Sequence, residues 1–304
     1  VVHGSDGLDE ITIAGPTSTL ATAISDNGQF VLVNTTGGGL LTTAYRVELS
    51  TAGTTSIVSV QQSELAFTPA SSFGYDINNA GVITGSNSAT PMKSAPGGAV
   101  QLSVPHLFGV GHGISEDSSR VVGNYGDANG TFQAAKWDLL GFHDLSFGAS
   151  ESDILGISKD GKLGVGHRDG FATVWNLVTM DYFSLATYGA LTGATNGGFF
   201  WGELFDELGD AFVGVWMFGW EKPKEINAWL SSQGYSLPTP ILQVLAIYDL
   251  GSMLDILARG SFVLAQNITD PTDRSDPNPV PEPTSLMLLG TGLVAVAHRL
   301  RRRS

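Results

Sequence analysis

Six segments of the chain repeat one short pattern, and their spacing restricts the fold more than any single motif does. They read AISDNGQFVLVN (Ala23–Asn34), YDINNAGVITGSN (Tyr75–Asn87), GISEDSSRVVGN (Gly113–Asn124), GISKDGKLGVGH (Gly156–His167), LFDELGDAFVGV (Leu204–Val215) and AIYDLGSMLDILA (Ala246–Ala258). The shared form is small–Ile–polar–Asp/Asn–x–Gly–x–apolar–x–Gly. Its anchors are Ile24, Ile77, Ile114, Ile157, Phe205 and Ile247, spaced by 53, 37, 43, 48 and 42 residues. A period of about 45 falls among propeller blades and well above leucine-rich repeats.

Each unit can be read physically. Asp26-Asn27-Gly28, Asn79-Ala80-Gly81 and Lys159-Asp160-Gly161 are hairpin turn signals, because Asn, Asp and Gly tolerate positive φ. Apolar pairs such as Val82-Ile83 and Val121-Val122 follow, so the unit runs strand, tight turn, strand. A third strand recurs as FQAAKWDL (Phe132–Leu139) and FATVWNL (Phe171–Leu177), with YRVEL (Tyr45–Leu49) a weaker copy. His143-Asp144-Leu145 then reads as a short fourth strand. Four strands per unit predict an all-β fold, a β-propeller of about six four-stranded blades over residues 1–266. Only KEINAWLSSQ (Lys224–Gln233) reads as a helix, stopped by Gly234.

Composition narrows the function classes. There are 15 basic and 29 acidic residues, a net charge of −14, so a phosphate backbone is repelled and nucleic acid is not an expected partner. With no cysteine there is no disulfide framework, thiolate metal site or cysteine nucleophile. The chain opens at Val1 without a basic–apolar signal segment, which says nothing about export if such a segment has been removed.

The other end changes character. Residues 267–279 belong to a Pro- and Asp-rich run, NITDPTDRSDPNPVPEP, that reads as an extended, disordered linker. TSLMLLGTGLVAVA (Thr284–Ala297) is free of charge and predicts a short apolar helix, and Arg299, Arg301, Arg302 and Arg303 follow it. About 14 helical residues span roughly 21 Å, short of a ~30 Å hydrocarbon core, so the segment is marginal as a permanent anchor. The arginines would hold their end in the cytoplasm.

Pro281-Glu282-Pro283, an apolar helix and an arginine tail, in that order over residues 280–304, resemble the PEP-CTERM sorting signal. The resemblance implies an exported protein of a Gram-negative, polysaccharide-producing (biofilm-type) bacterium. It also implies transient membrane insertion through 284–297, after which an exosortase would recognise the Pro-Glu-Pro region and remove the helix. The repeats themselves resemble the HAF repeat of extracellular bacterial proteins, best in Gly113–Leu139 and Gly156–Leu177. That family implies a fold and a location rather than a reaction.

Sequence motifs for chemistry are sparse. There is no Gly-x-Ser-x-Gly elbow, His-Glu-x-x-His or phosphate-binding loop. His106, His112 and His167 could meet on one face as a metal site, but scattered surface histidines account for them better, and neither metal nor cofactor is expected. Glu116-Asp117, Glu151 to Asp153, Glu203 and Asp206-Glu207 could supply a general acid/base pair, as glycoside hydrolysis requires, but nothing in the spacing says which converge. The aromatic run around Trp201, Trp216 and Trp220 reads first as packing between sheets, with stacking on extracellular polysaccharide as the alternative. The expectation is a structural or binding protein at the cell surface or in the matrix. A secreted propeller hydrolase or lyase acting on polysaccharide is the alternative.

Overall fold

The computed structural model describes residues 18–36, 42–49, 57–62, 71–95, 98–106, 108–235, 237, 240–249, 253–258 and 261–266. The linker, the apolar helix expected over 284–297 and the arginine tail lie outside them. Among the described residues, no helix is long and apolar enough to cross a membrane.

The strands form antiparallel meanders in chain order. The first sheet holds β1 (Ser18–Ile24), β2 (Phe30–Thr36), β3 (Thr42–Leu49) and β4 (Ile57–Gln62). The second holds β5 (Ser72–Ile77), β6 (Ile83–Asn87), β7 (Thr90–Ala95) and β8 (Gly98–Gln101). The third holds β9 (Gly109–Ile114), β10 (Val121–Gly126), β11 (Phe132–Asp138) and β12 (Gly141–Asp144). The fourth begins with β13 (Ser152–Ile157), β14 (Leu163–Arg168) and β15 (Phe171–Asn176), and its outer strand is the first half of β16 (Asp181–Ala194). The second half of β16 opens the fifth sheet, with β17 (Phe199–Phe205), β18 (Ala211–Met217) and β19 (Lys224–Glu225). Helix α1 (Ile226–Ser232) precedes a last sheet of β20 (Val244–Asp249), β21 (Met253–Ala258) and β22 (Ser261–Gln266).

Two sheets share β16 because of one glycine. Tyr188 still pairs with Phe171 of β15, whereas Gly189 pairs with Leu204 of β17. Gly189 has φ +123, and a Cβ there would stand 2.3 Å from the Glu203 carbonyl oxygen. Only glycine lets the strand swivel from one sheet to the next at that distance.

The observed register corrects the fifth repeat. Its inner turn is Thr195-Asn196-Gly197-Gly198 between β16 and β17, so the residue equivalent to the isoleucine anchors is Ala194 rather than Phe205. Phe205 ends β17, and the Asp206–Gly209 turn after it is an outer hairpin matching Asp127–Gly130. The helix expected over Lys224–Gln233 is present over Ile226–Ser232. It is capped by the Glu225 carboxylate, which accepts from the N–H groups of Asn227 and Ala228.

Each gap between sheets has its own apolar core. Leu32, Ala44, Ile77, Ile83 and Met92 fill the first. Ile114, Val121, Ala135 and Trp137 cluster with Val82, Leu102 and Val104 of the sheet before. Val122, Leu145, Ile154, Ile157 and Trp175 fill the third. A larger cluster joins the fourth, fifth and last sheets with α1. The third-strand tryptophans also tie sheets by hydrogen bonds: Trp137 Nε1 donates to Ser103 O at 2.6 Å and Trp175 Nε1 to Leu145 O at 3.0 Å. Cations repeat the device. Arg46 donates to Gly81 O, Lys93 to Ser118 O and Arg120 to Gly161 O, each reaching the turn of the following sheet.

Candidate functional site

The first strands of successive sheets lie side by side: β5 packs on β1, β9 on β5, and β13 on β9. Every first strand carries an irregularity at the same place. The pairing skips Thr22 in β1, Tyr75 in β5, His112 in β9, Leu155 in β13, Thr192 in β16 and Leu245 in β20. Each lies two residues before its anchor. A bulge of this kind adds a residue without a ladder partner and re-aims its side chain. It also explains the recurring last glycine of the repeat. A Cβ on Gly85, Gly123, Gly166 or Gly202 would stand 2.1, 1.9, 1.9 and 2.1 Å from a carbonyl oxygen of the bulged strand.

The inner turns meet at one end of these strands. Asn27 N–H donates to Asn79 Oδ1, Asn79 N–H to Glu116 Oε1, and Glu116 N–H to Lys159 O. Asp160 N–H then donates to Asn196 Oδ1. Each turn thus binds the next, from the first sheet to the fifth. Lys159 of the fourth sheet also pairs with Asp26 of the first at 3.5 Å. Burial pushes the Glu116 carboxyl above its usual range, with Asp26 and Asp76 adding to the rise and the Asn79 N–H and Lys159 opposing it.

Farther along the same strands, side chains from three sheets converge. Asn124 Nδ2 donates to Asp153 Oδ2 at 2.8 Å and lies 3.2 Å from His112 Nε2. His112 Nε2 is 3.6 Å from Asp153 Oδ2, and both side chains are 14% exposed. The Tyr75 ring stands edge-on to the His112 ring, 4.8 Å between centroids. Burial raises the Tyr75 hydroxyl above its ordinary value and the Asp153 charge adds to it. Nothing in the repeat pattern marks these four residues as a group. The signal was the position two before the anchor, occupied by Tyr75 and His112, which is meaningful only once the bulge is known.

The acids and histidines singled out in the sequence are mostly dispersed. Asp117 caps its own turn through Ser115 Oγ and the Ser119 N–H, which hold its carboxyl low. The Asp206 carboxylate likewise accepts from the Leu208 and Asp210 N–H groups of its own turn. Glu151 and Glu203 are exposed, as is His106. His112 departs from the surface reading, being packed in the cluster above. Among the described residues no three His, Cys, Asp or Glu side chains gather as metal ligands.

Trp201, Trp216 and Trp220 are 7%, 4% and 7% exposed. Trp216 stacks on Phe200 at 5.3 Å and donates its N–H to Trp220 O at 3.0 Å. It occupies the place of Trp137 and Trp175 in the repeat, opposite Phe200 two residues before Gly202. Trp201 lies over Gly193, and Trp220 packs on Trp229 with Lys224 Nζ 4.0 Å from its ring. A sugar stacks on an open ring face, and these faces are engaged in the core.

Residues 279–303 match the PEP-CTERM protein-sorting motif. PEP-CTERM marks an exported protein sorted by an exosortase, delivered to the surface or exterior of a Gram-negative bacterium. No curated protein matches the chain. Among solved structures, one described as TolB from Agrobacterium tumefaciens is 17% identical over 66% of this chain and 77% of its own, with a TM-score of 0.47. TolB from Acinetobacter baumannii is 15% identical over 66% of this chain and 52% of its own, TM-score 0.45. The extracellular domain of a one-component system from B. thetaiotaomicron is 10% identical over 87% and 42%, TM-score 0.38. Such loose overlaps carry no argument about activity.

Proposed function

We propose that the body is a six-bladed propeller of HAF-repeat type that acts as a surface or matrix scaffold and binding protein, delivered there by its PEP-CTERM tail. The motif match over residues 279–303 carries the reading. In it, Pro281, Glu282 and Pro283 are the exosortase recognition element, residues 284–297 insert transiently in the membrane, and Arg299, Arg301, Arg302 and Arg303 hold the cytoplasmic end. Ring closure is supported by two observations. Asp26 and Lys159 reach each other from the first and fourth sheets. The face of the first sheet turned away from the second, formed by Val31, Val33, Val47 and Leu49, is buried. The hydrolase or lyase reading needs an apposed carboxylate pair, and the candidate acids mostly serve turns.

Residues 1–280 hold 11 basic and 28 acidic residues, hence a charge of −17 once the tail is removed. Such a body is repelled by acidic polysaccharide within a Debye length of about 10 Å. Matrix attachment would therefore use hydrogen bonds, open rings or bridging cations.

Deleting residues 280–304 tests the reading. The truncated protein should lose exosortase-dependent processing and envelope retention while keeping its β-type circular dichroism. Retention and processing unchanged by the deletion would refute the sorting role. Unfolding of the body would show that the tail belongs to the core.

A further inference from the structure

The outer turns at the two ends of the sheets differ in chemistry. Turns between second and third strands lie away from the inner turns. In the third, fourth and fifth sheets they read Asp127-Ala128-Asn129-Gly130, Asp169-Gly170 and Asp206-Glu207-Leu208-Gly209-Asp210. They hold five acids and no base. Turns between third and fourth strands lie at the inner-turn end. There the same three sheets present Leu139 with Leu140, Val178, and Phe218, which are 93%, 87%, 56% and 51% exposed. The two charges in those turns, Glu221 and Lys222, cancel. Nearer the first strands, Asp26 pairs with Lys159 and Asp160 with Lys162. The acid-rich turns also expose Leu208, a single leucine among three acids.

The turns do not need these apolar side chains. Asp138 Oδ1 accepts the Leu140 N–H and Gly141 supplies φ +106. Asn176 Oδ1 accepts the Val178 and Thr179 N–H groups. A polar residue would serve equally at 139, 140 and 178, and exposed turns ordinarily carry one. Apolar tips on three consecutive sheets at one end point to a surface that is covered in use.

The route of the chain says what covers it. In the last sheet β20 carries the bulge of the other first strands and turns after Asp249. Strand β22 then ends at Gln266, opposite Met253, the first residue of β21. The chain therefore leaves the body at the inner-turn end. Residues 267–283 separate Gln266 from the apolar segment 284–297, and they reach at most about 60 Å. A bilayer that holds 284–297 is thus within reach of the apolar tips, with the acid-rich turns on the far side. A tether of this length gives an effective concentration near millimolar, so a contact too weak to hold a free protein holds a tethered one.

We infer that Leu139, Leu140, Val178 and Phe218 dock the body on the phospholipid surface while 284–297 is inserted, and that the body lets go once that segment is removed. The inference rests on the sorting role proposed above. Docking is apolar, so it needs no anionic lipid, and it turns the five acids of the other end away from the membrane.

The test uses the full-length chain, which has no cysteine, so Thr179→Cys or Asn129→Cys places a single label at either end. Both residues are exposed. Each variant carries an environment-sensitive dye and is reconstituted in phosphatidylcholine nanodiscs with a quencher on the lipid. The label at 179 should shift to the blue and be quenched, and the label at 129 should do neither. The chain lacking residues 280–304 should return the label at 179 to its aqueous spectrum. Leu139→Ser combined with Leu140→Ser should lower the docked-to-free ratio by about tenfold or more, with the β-type circular dichroism unchanged. Aqueous signals from both labels in chains that co-purify with nanodiscs would overturn the docking and leave the sorting role standing. A signal at 179 indifferent to the leucine pair would also overturn it, as would quenching that survives the deletion. A full-length chain that does not co-purify with nanodiscs would overturn the insertion on which both readings stand.

Discussion

Asp138→Asn removes the carboxylate charge that Lys136 and His143 share. Lys136 is buried and donates to Asp138 Oδ2 at 2.9 Å and to Leu177 O of the next sheet at 3.2 Å. His143 Nε2 lies 2.9 Å from the other carboxylate oxygen. Burial alone would raise the Asp138 carboxyl. The hydrogen bonds from Lys136, His143 and the Leu140 N–H outweigh it and hold the group at about 2 against an ordinary 3.8. That depression corresponds to about 2.4 kcal/mol at most, and to roughly 1–2 after discounting for solvent screening at the rim of the sheet. Asparagine also leaves the buried Lys136 ammonium without its counter-charge, and breaking a buried pair costs about 3–5 kcal/mol. These overlap, so the expected loss is about 2–4 kcal/mol at pH 7.

The pH dependence follows from the sign of the shift. A carboxylate with a depressed folded-state pKa contributes fully above its unfolded value and loses that contribution as pH falls through the folded value. The gap between wild type and Asp138→Asn should be full at pH 7 and 5. It should narrow below about 4 and close near 2, because the protonated wild type strands Lys136 as well. Urea unfolding followed by tryptophan fluorescence measures it. Lys136→Met added to Asp138→Asn should recover about 1–2 kcal/mol by removing the stranded charge. A gap under about 1 kcal/mol at pH 7, or one unchanged at pH 3, would refute the reasoning.

Gly123→Ala and Gly166→Ala should each destabilise by about 1–3 kcal/mol or more, because the added carbon meets backbone rather than a flexible side chain. Gly130→Ala, in open space at φ +81, should cost only about 1 kcal/mol. Thermal melts of the three compare them, and equal small losses would remove the explanation offered for the repeat's last glycine. Trp216→Ala should cost about 3–5 kcal/mol, whereas Trp216→Phe should retain most of the packing. If Trp216→Ala left stability unchanged while reducing polysaccharide retention, the indole would be a binding group after all.

Much of this architecture was legible because turns and apolar pairs are local chemistry. Ile24, Ile77, Ile114 and Ile157 each end a first strand, and His143-Asp144 falls in the expected fourth strand. The fifth repeat misleads because Asp206-Glu207-Leu208-Gly209 has the same turn chemistry as an inner turn, while the true anchor is alanine. In the second sheet the third strand TPMKSA carries no such signal, because Ser94 stands where Trp137 and Trp175 stand in theirs. In the third turn Ser118 takes φ +59, where Gly28, Gly81 and Gly161 occupy the corresponding turns. The site was not legible. Tyr75, His112, Asn124 and Asp153 are brought together by bulges and by packing between sheets, and neither leaves a period in the sequence.

The hand-to-hand contacts of the inner turns bear on how such a chain can evolve. The residue two past each anchor differs between neighbouring sheets: Asp26, Asn79, Glu116, Lys159 and Asn196. Asn79 and Asn196 accept from the preceding turn through a side-chain amide, Glu116 through a carboxylate, and Lys159 through its backbone carbonyl, with its ammonium turned to Asp26. The repeats are therefore alike in shape but not interchangeable. A duplication or excision of one unit would set Glu116 or Lys159 beside the wrong neighbour and leave a charge without its counterpart, although every strand could still pair. Divergence at this one position works like a set of keyed joints. It records the order in which the units are assembled and confines later recombination to whole runs of sheets.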